Sequence, residues 1–261
     1  MPPLLFPIPG TRIPPYRPLQ PIPPAIDLPA PPVSLSLRPE NEVQPYSEYN
    51  ILVTAEGYEP VLVSGSEILA GEMSLQPIRM NPIAVTEEAE QVVVIPAHTL
   101  FAEYPPKIPE EEIKPMGETG EIVLSRVVVP EYVIVHDGAP SDSSAPNYWV
   151  RYKDYIKNVA SCEIYSTWPE SSIYANILAI QSFTLNRVYT EWYRNQGYDF
   201  TITSSTAYDQ KWIYGRNIFE NIDYLVDTIF ADYLSRPGVR QPIFTSYCDG
   251  QRVTCNGLSQ W

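Results

Sequence analysis

Proline decides where this chain can be regular. The 261 residues include 29 prolines, and about half of them fall within the first 50 positions. Proline fixes φ and lacks an N–H, so PIPG, RIPPYRP and PIPPAIDLPAPP are barred from helix interiors and central strands. Residues 1–32 are therefore expected to form an extended, polyproline-II-like arm. A second stretch, 83–120, is acidic as well as Pro-rich (TEEAE, YPPKIPEEEIKPMGETGE) and has the composition of a solvated linker. These two stretches leave a small segment at 33–82 and a larger one at 121–261.

The small segment reads as strands. VSLSLRP alternates apolar and polar residues, and YNILVTAEGYEPVLVSGSEILAGEMSLQPIRMNP breaks into short apolar runs at EG, SG and AGE. A small all-β unit, half a sandwich, is expected. The run Tyr49, Ile51, Val53, Ala55, Gly57, Tyr58, Pro60 resembles that of the carboxypeptidase-regulatory-like β-sandwich modules. The resemblance implies a spacer or adhesive unit without catalysis.

The larger segment mixes both kinds of element, so an α+β fold with helices packed on strands is expected. EIVLSRVVVPEYVIVHDG has strand composition, and APSDSSAPNYWV is turn-rich. YKDYIKNVASCEI should be a short helix carrying Glu163, stopped by Pro169. Ser171 or Ser172 can cap a following helix over 173–194, with Ile173, Ile177, Ile180, Thr184, Val188 and Trp192 on one stripe. A third helix is expected over 217–234, opened by a capping box of Asn217 and Glu220.

Composition removes several functions. There are 31 acidic and 17 basic residues, a net charge of -14, which disfavours nucleic-acid backbones and anionic lipid surfaces. No apolar run is long enough for a membrane span, and the N-terminus lacks the basic and apolar regions of a signal peptide. His98 and His136 have no partner one helical turn away, and the three cysteines lack paired C-x2-C spacing, so no metal is expected. No phosphate-cradling glycine loop or G-x-S-x-G elbow occurs, and no cofactor is implied. Cys248 and Cys255 are close enough in sequence for a local disulfide; two free thiols fit equally well.

Acid chemistry remains. Glu163 stands between Cys162 and Ile164, with Val159, Tyr165 and Trp168 nearby. In an apolar frame a carboxyl holds its proton to higher pH and can give it to a glycosidic oxygen. The alternative is a carboxylate facing water from a short helix. Trp149, Trp168, Trp192 and Trp212 can stack on sugar rings or fill the core.

From Trp149 to Trp261 the chain resembles the SpoIID/LytB family, the sporulation stage II protein D and amidase-enhancer group. The likeness rests on YIKNVASCEIYSTWPESSIYANILAIQSFTLNRVY, on TAYDQKWIYG with Thr206, Gln210, Tyr214 and Gly215, on SYCDGQRVT, and on the closing GLSQW. It implies a lytic transglycosylase acting on peptide-stripped peptidoglycan, with Glu163 as acid and then base. One carboxylate suffices there, because the muramoyl 6-hydroxyl displaces within the sugar. Substrate-contact candidates are Gln181, Gln210, Tyr214, Tyr247 and Ser259. Peptidoglycan glycan strands and a cell-wall amidase are the implied partners, and an extracellular, cell-wall or spore-envelope location is implied with them. The chain departs from the family pattern at Cys162, which is inserted before the Glu, at Ile164-Tyr165, which stand in place of the Met-Pro and leave the Pro absent, and at Gln251, which replaces a Gly. Its last motif is cut short at Trp261, so a longer parent is expected. The same resemblance also fits a non-catalytic amidase enhancer or glycan-binding module.

Overall fold

The computed structural model describes residues 11–12, 26–39, 42–83, 91–110, 124–251 and 257–261. Most of the expected Pro-rich arm, the TEEAE run and Cys255 lie outside these. The fold is α+β, as the mixture of periodicities requires, and it is organised around three helices: α2 (Tyr152–Glu163), α3 (Glu170–Tyr189) and α4 (Glu220–Ile229). A single helical turn, α1 (Val33–Ser36), precedes them. It replaces the strand expected from VSLSLRP, a run too short for its alternation to decide.

Three strands form the first sheet: β2 (Ser47–Val53), β3 (Val61–Ile68) and β5 (Gln91–Val94), in the order β2-β3-β5. β2 pairs antiparallel with β3, and β5 runs parallel to β3 from Val61↔Gln91 to Ser64↔Val94. Two expectations change here. Residues 91–94, expected in a solvated linker, complete the sheet. Nor is the β-unit free-standing. Its inward Val61 and Val63 pack with Ile95 against Cys162 of α2 and Ile213. A single sheet has one apolar face to bury, and here the larger segment covers it.

Further strands tie the two segments together. β4 (Ser74–Leu75) pairs antiparallel with β9 (Ile218–Phe219). A mixed sheet of order β1-β7-β6-β8 forms from β1 (Thr11–Arg12), β6 (Tyr132–His136), β7 (Asn147–Arg151) and β8 (Ile202–Thr203). Its Val133 and Val135 enter the main core with Ile156, Val159, Ile177, Ile180, Phe183, Phe219 and Ile222. Last, β10 (Tyr247–Cys248) and β11 (Leu258–Ser259) pair in parallel.

The helices begin and end differently from expectation. α3 starts at Glu170 with Pro169 as N-cap, so Ser171 and Ser172 lie within its first turn. It ends at Tyr189 because Glu191 takes a φ of +48° and the chain turns back. α4 starts at Glu220 without a side-chain cap. Its apolar face (Ile222, Leu225, Val226, Ile229) is buried, while Asp223 and Asp227 face Lys157 at 2.7 and 3.0 Å.

Asn217 is no helix cap. Fully buried, it donates to the Glu67 carbonyl and to Ser74 Oγ, each at 2.8 Å, and accepts the Glu67 N–H at 3.2 Å. Beside it the buried Arg216 guanidinium meets Glu67 Oε2 at 3.0 Å and donates to the Ser161 carbonyl of α2. Gly215 serves the same junction: its φ is +72°, and a Cβ there would meet Val93 Cγ1 of β5 at 2.7 Å. The Asn217→Ala variant leaves buried backbone groups of Glu67 without partners. It should lose roughly 2–3 kcal/mol of stability in urea unfolding; a loss too small to resolve would mean that water replaces the amide.

Candidate functional site

α2 carries Glu163 to its position. Tyr152, Tyr155, Ile156, Val159 and Ala160 follow helical spacing and are all buried, and Glu163, four residues beyond Val159, continues that stripe. The helix stops there because Ile164 is extended, at φ −137° and ψ 148°. Its last residue is thus an acid pointed into the interior and 4% exposed.

The carboxyl is held on both oxygens. Oε1 accepts the Lys211 backbone N–H at 2.7 Å, and Oε2 accepts the hydroxyl of Tyr247 on β10. The Glu163 carbonyl accepts Gln260 Nε2 at 3.0 Å. In front of the carboxyl lies an open cavity of about 360 Å³, lined by Glu163, Tyr247, Lys107, Thr206 and Gln260 among others, a size suited to a small ligand.

Burial pushes the Glu163 pKa above the ordinary carboxylate value; the Lys107 ammonium, the Lys211 N–H and the Tyr247 hydroxyl each oppose that rise. Tyr247 is pushed well above the usual phenol range, first by its own burial and then by the Glu163 charge, so it remains a donor. A carboxyl so placed can release a proton into the cavity, and two preset donors receive the carboxylate left behind.

The loop that brings Lys211 is fixed from behind. Arg187 of α3 is buried and meets Asp209 Oδ1 at 2.7 Å, and Asp209 Oδ2 accepts Tyr193 Oη, Thr203 N and Thr203 Oγ1 at 2.7–2.8 Å. Gln210 is buried and accepts from Tyr155 Oη at 3.1 Å and Thr184 Oγ1 at 2.8 Å, and it donates to the Ile180 carbonyl.

Of the five substrate-contact candidates, Tyr247 lines the cavity and four do not. Gln210 lies behind the site, spending its amide on α2 and α3. Gln181 ties α3 to the end of α4 through the Ile229 and Asp232 carbonyls at 2.9 and 2.7 Å. Tyr214 packs on Tyr148 and Trp212, with ring centroids 5.1 and 6.4 Å away. Ser259 is exposed and donates to the Trp261 carbonyl at 2.7 Å. None of the four tryptophans singled out for stacking lines the cavity, and Trp168 and Trp212 belong to the core.

Other residues line the cavity in their place. Lys107, Tyr104 and Thr99 come from the stretch expected to be a linker, whose Pro-rich composition gave no sign of docking. Gln260 sits in GLSQW, and only the resemblance pointed toward that motif. Among the described residues no group of His, Cys, Asp and Glu can hold a metal ion. His98 is buried and stacks on Tyr165 at 4.4 Å. Cys248 is disulfide-bonded and Cys162 is a free, buried thiol. No helix among the described residues is long and apolar enough to cross a membrane.

No protein-family profile, curated protein or solved structure matches this chain.

The buried Arg187–Asp209 pair fixes the loop that supplies the Lys211 N–H. Asp209→Ala leaves the guanidinium with Glu110 as its remaining counter-charge, orphans Tyr193 Oη, Thr203 N and Thr203 Oγ1, and should lower stability by about 3–5 kcal/mol. Equilibrium urea unfolding measures this, and a loss below about 1 kcal/mol would relieve the pair of that role.

Proposed function

We propose that this protein cleaves peptidoglycan glycan strands as a SpoIID/LytB-like lytic transglycosylase, with Glu163 as general acid and then base. One observation carries the reading: Glu163 is an interior carboxyl with a raised pKa, held by two donors and open to a cavity of about 360 Å³. The SpoIID-like motifs around it give the substrate class. Glu163 gives its proton to the glycosidic oxygen as the C1–O bond breaks. The muramoyl 6-hydroxyl then bonds to C1 and returns its proton to the carboxylate. The product carries a 1,6-anhydro end, no water is consumed, and Glu163 is again protonated. The Lys211 N–H and Tyr247 hydroxyl steady the carboxylate between the two transfers. A cell-wall or spore-envelope location follows from this substrate.

A second reading, a glycan-binding module or amidase enhancer without turnover, is favoured by one observation. Tyr247 alone of the five expected substrate contacts lines the cavity. The two readings separate on purified, peptide-stripped glycan. Mass spectrometry should find anhydromuramoyl products from the parent and a rate at least about 10²-fold lower from Glu163→Gln. Products formed by both at the same rate would remove Glu163 from the chemistry. Glycan retained on the parent protein with no product would select the binding reading.

A further inference from the structure

Residues 99–110 form a built wall of the site. Upstream, Thr99 Oγ1 donates to the Cys162 carbonyl at 2.9 Å, one residue before the acid. In the middle, Ile108 N donates to the Ala207 carbonyl at 2.7 Å. Downstream, Glu110 Oε2 meets Arg187 Nη1 at 2.7 Å. Between these anchors Lys107 is turned inward. Its ammonium donates to the Asp209 carbonyl and lies 5.0 Å from the Phe183 ring centroid and 5.3 Å from that of Tyr247, the residue whose hydroxyl holds Glu163. Lys107 and Glu163 line the same cavity.

We propose that Lys107 is a positioning residue for Glu163: its ammonium, held on the lining of the same cavity by the anchored stretch 99–110 and the Asp209 carbonyl, sets the pH range over which the acid keeps its proton. The inference takes Glu163 as the proton donor from the function proposed above, but the electrostatic link can be measured without substrate.

The other groups facing Glu163 do not supply this charge. On α2 itself, burial holds the Tyr155 hydroxyl neutral and pushes the Cys162 thiol up to about 12. From residues 99–110, Tyr104 is pushed up to about 12 and stays neutral, and Glu103 is an acidic side chain at the cavity wall. Tyr247 is a neutral donor, and Asp249 beside it is a further acidic side chain on the lining. From the loop after β8, the Lys211 ammonium lies 5.3 Å from the Tyr104 ring centroid and is the weakest of the influences on Glu163. Lys107 is the leading charge opposing the burial of Glu163; burial lowers the Lys107 pKa in its turn, and Glu163 leads the influences that oppose that fall.

The test titrates the free protein. Infrared spectroscopy follows the protonated carboxyl band of Glu163, identified by its loss in Glu163→Gln. Replacing Lys107 with Met removes an opposing charge, so the Glu163 midpoint should rise by about one pH unit or more, whereas Lys107→Arg should stay close to the parent. In the reciprocal measurement, Glu163→Gln should lower the ¹⁵N-detected midpoint of the Lys107 ammonium, identified by its loss in Lys107→Arg. That arm holds even if Lys107→Met does not fold. Unchanged midpoints in either experiment overturn the proposal. A parent that turns over no glycan but shows both shifts would defeat the catalytic reading and leave the electrostatic link standing.

Discussion

A helix buried on nearly every side cannot leave its polar groups to water, and α2 is such a helix. Of its twelve residues ten are buried, among them Asn158, Ser161, Cys162 and Glu163. Each unsatisfied buried group would cost on the order of 1–3 kcal/mol, so chain from elsewhere must supply partners. Asn158 takes the N–H and carbonyl of Ile213, the Ser161 carbonyl takes Arg216, the Cys162 carbonyl takes Thr99, and Glu163 takes the Lys211 N–H. The stretch 211–216 is thereby laid along the helix. Arg216 carries the connection on to Glu67, and so to the first sheet. The junction of the two segments and the setting of the acid are consequences of the same burial.

What was legible in the sequence follows from this. Periodicity found α2, α3 and α4, because that signal is local; the apolar neighbours of Glu163 fitted burial and an exposed helix face alike, and the fold places the side chain inside. Partners of buried polar groups are not local. Asn217 and Glu220 have the spacing of a capping box, but the same amide chemistry is satisfied by Glu67 and Ser74 across the fold. Gln181 and Gln210 are polar residues in helical or motif surroundings, and nothing nearby in sequence says that their amides bond to main-chain carbonyls rather than to a ligand. Residues 91–110 were the hardest case. Their proline and acid content is that of a linker, but QVVV pairs with β3 and the following residues dock on α2 and α3. Four residues, QVVV, between an acidic run and a Pro break carry too little periodicity to outweigh composition.

Among the described residues two fully buried carboxyls, Glu67 and Glu163, have raised pKa values, and their surroundings differ. Glu67 is raised by desolvation against the opposing Arg216 charge, and Glu163 by desolvation against Lys107 and its hydrogen-bond donors. For both, the folded state binds the proton more tightly than the unfolded chain. Their contribution to stability is therefore complete below the unfolded value of 4.5 and is lost as pH rises through the folded value. Glu67 faces a guanidinium inside the junction between the sheet and α2, and it does not line the cavity. A proton released there has no ligand to receive it, and the carboxylate is already matched to a cation. Glu163 sits at a helix end, opens on the cavity, and has its leading opposing charge, Lys107, on a separate stretch of chain that lines the same cavity. Two donors fix the carboxyl without neutralising it, so the desolvation that weakens the fold at neutral pH is also what holds a proton on the carboxyl that faces the cavity.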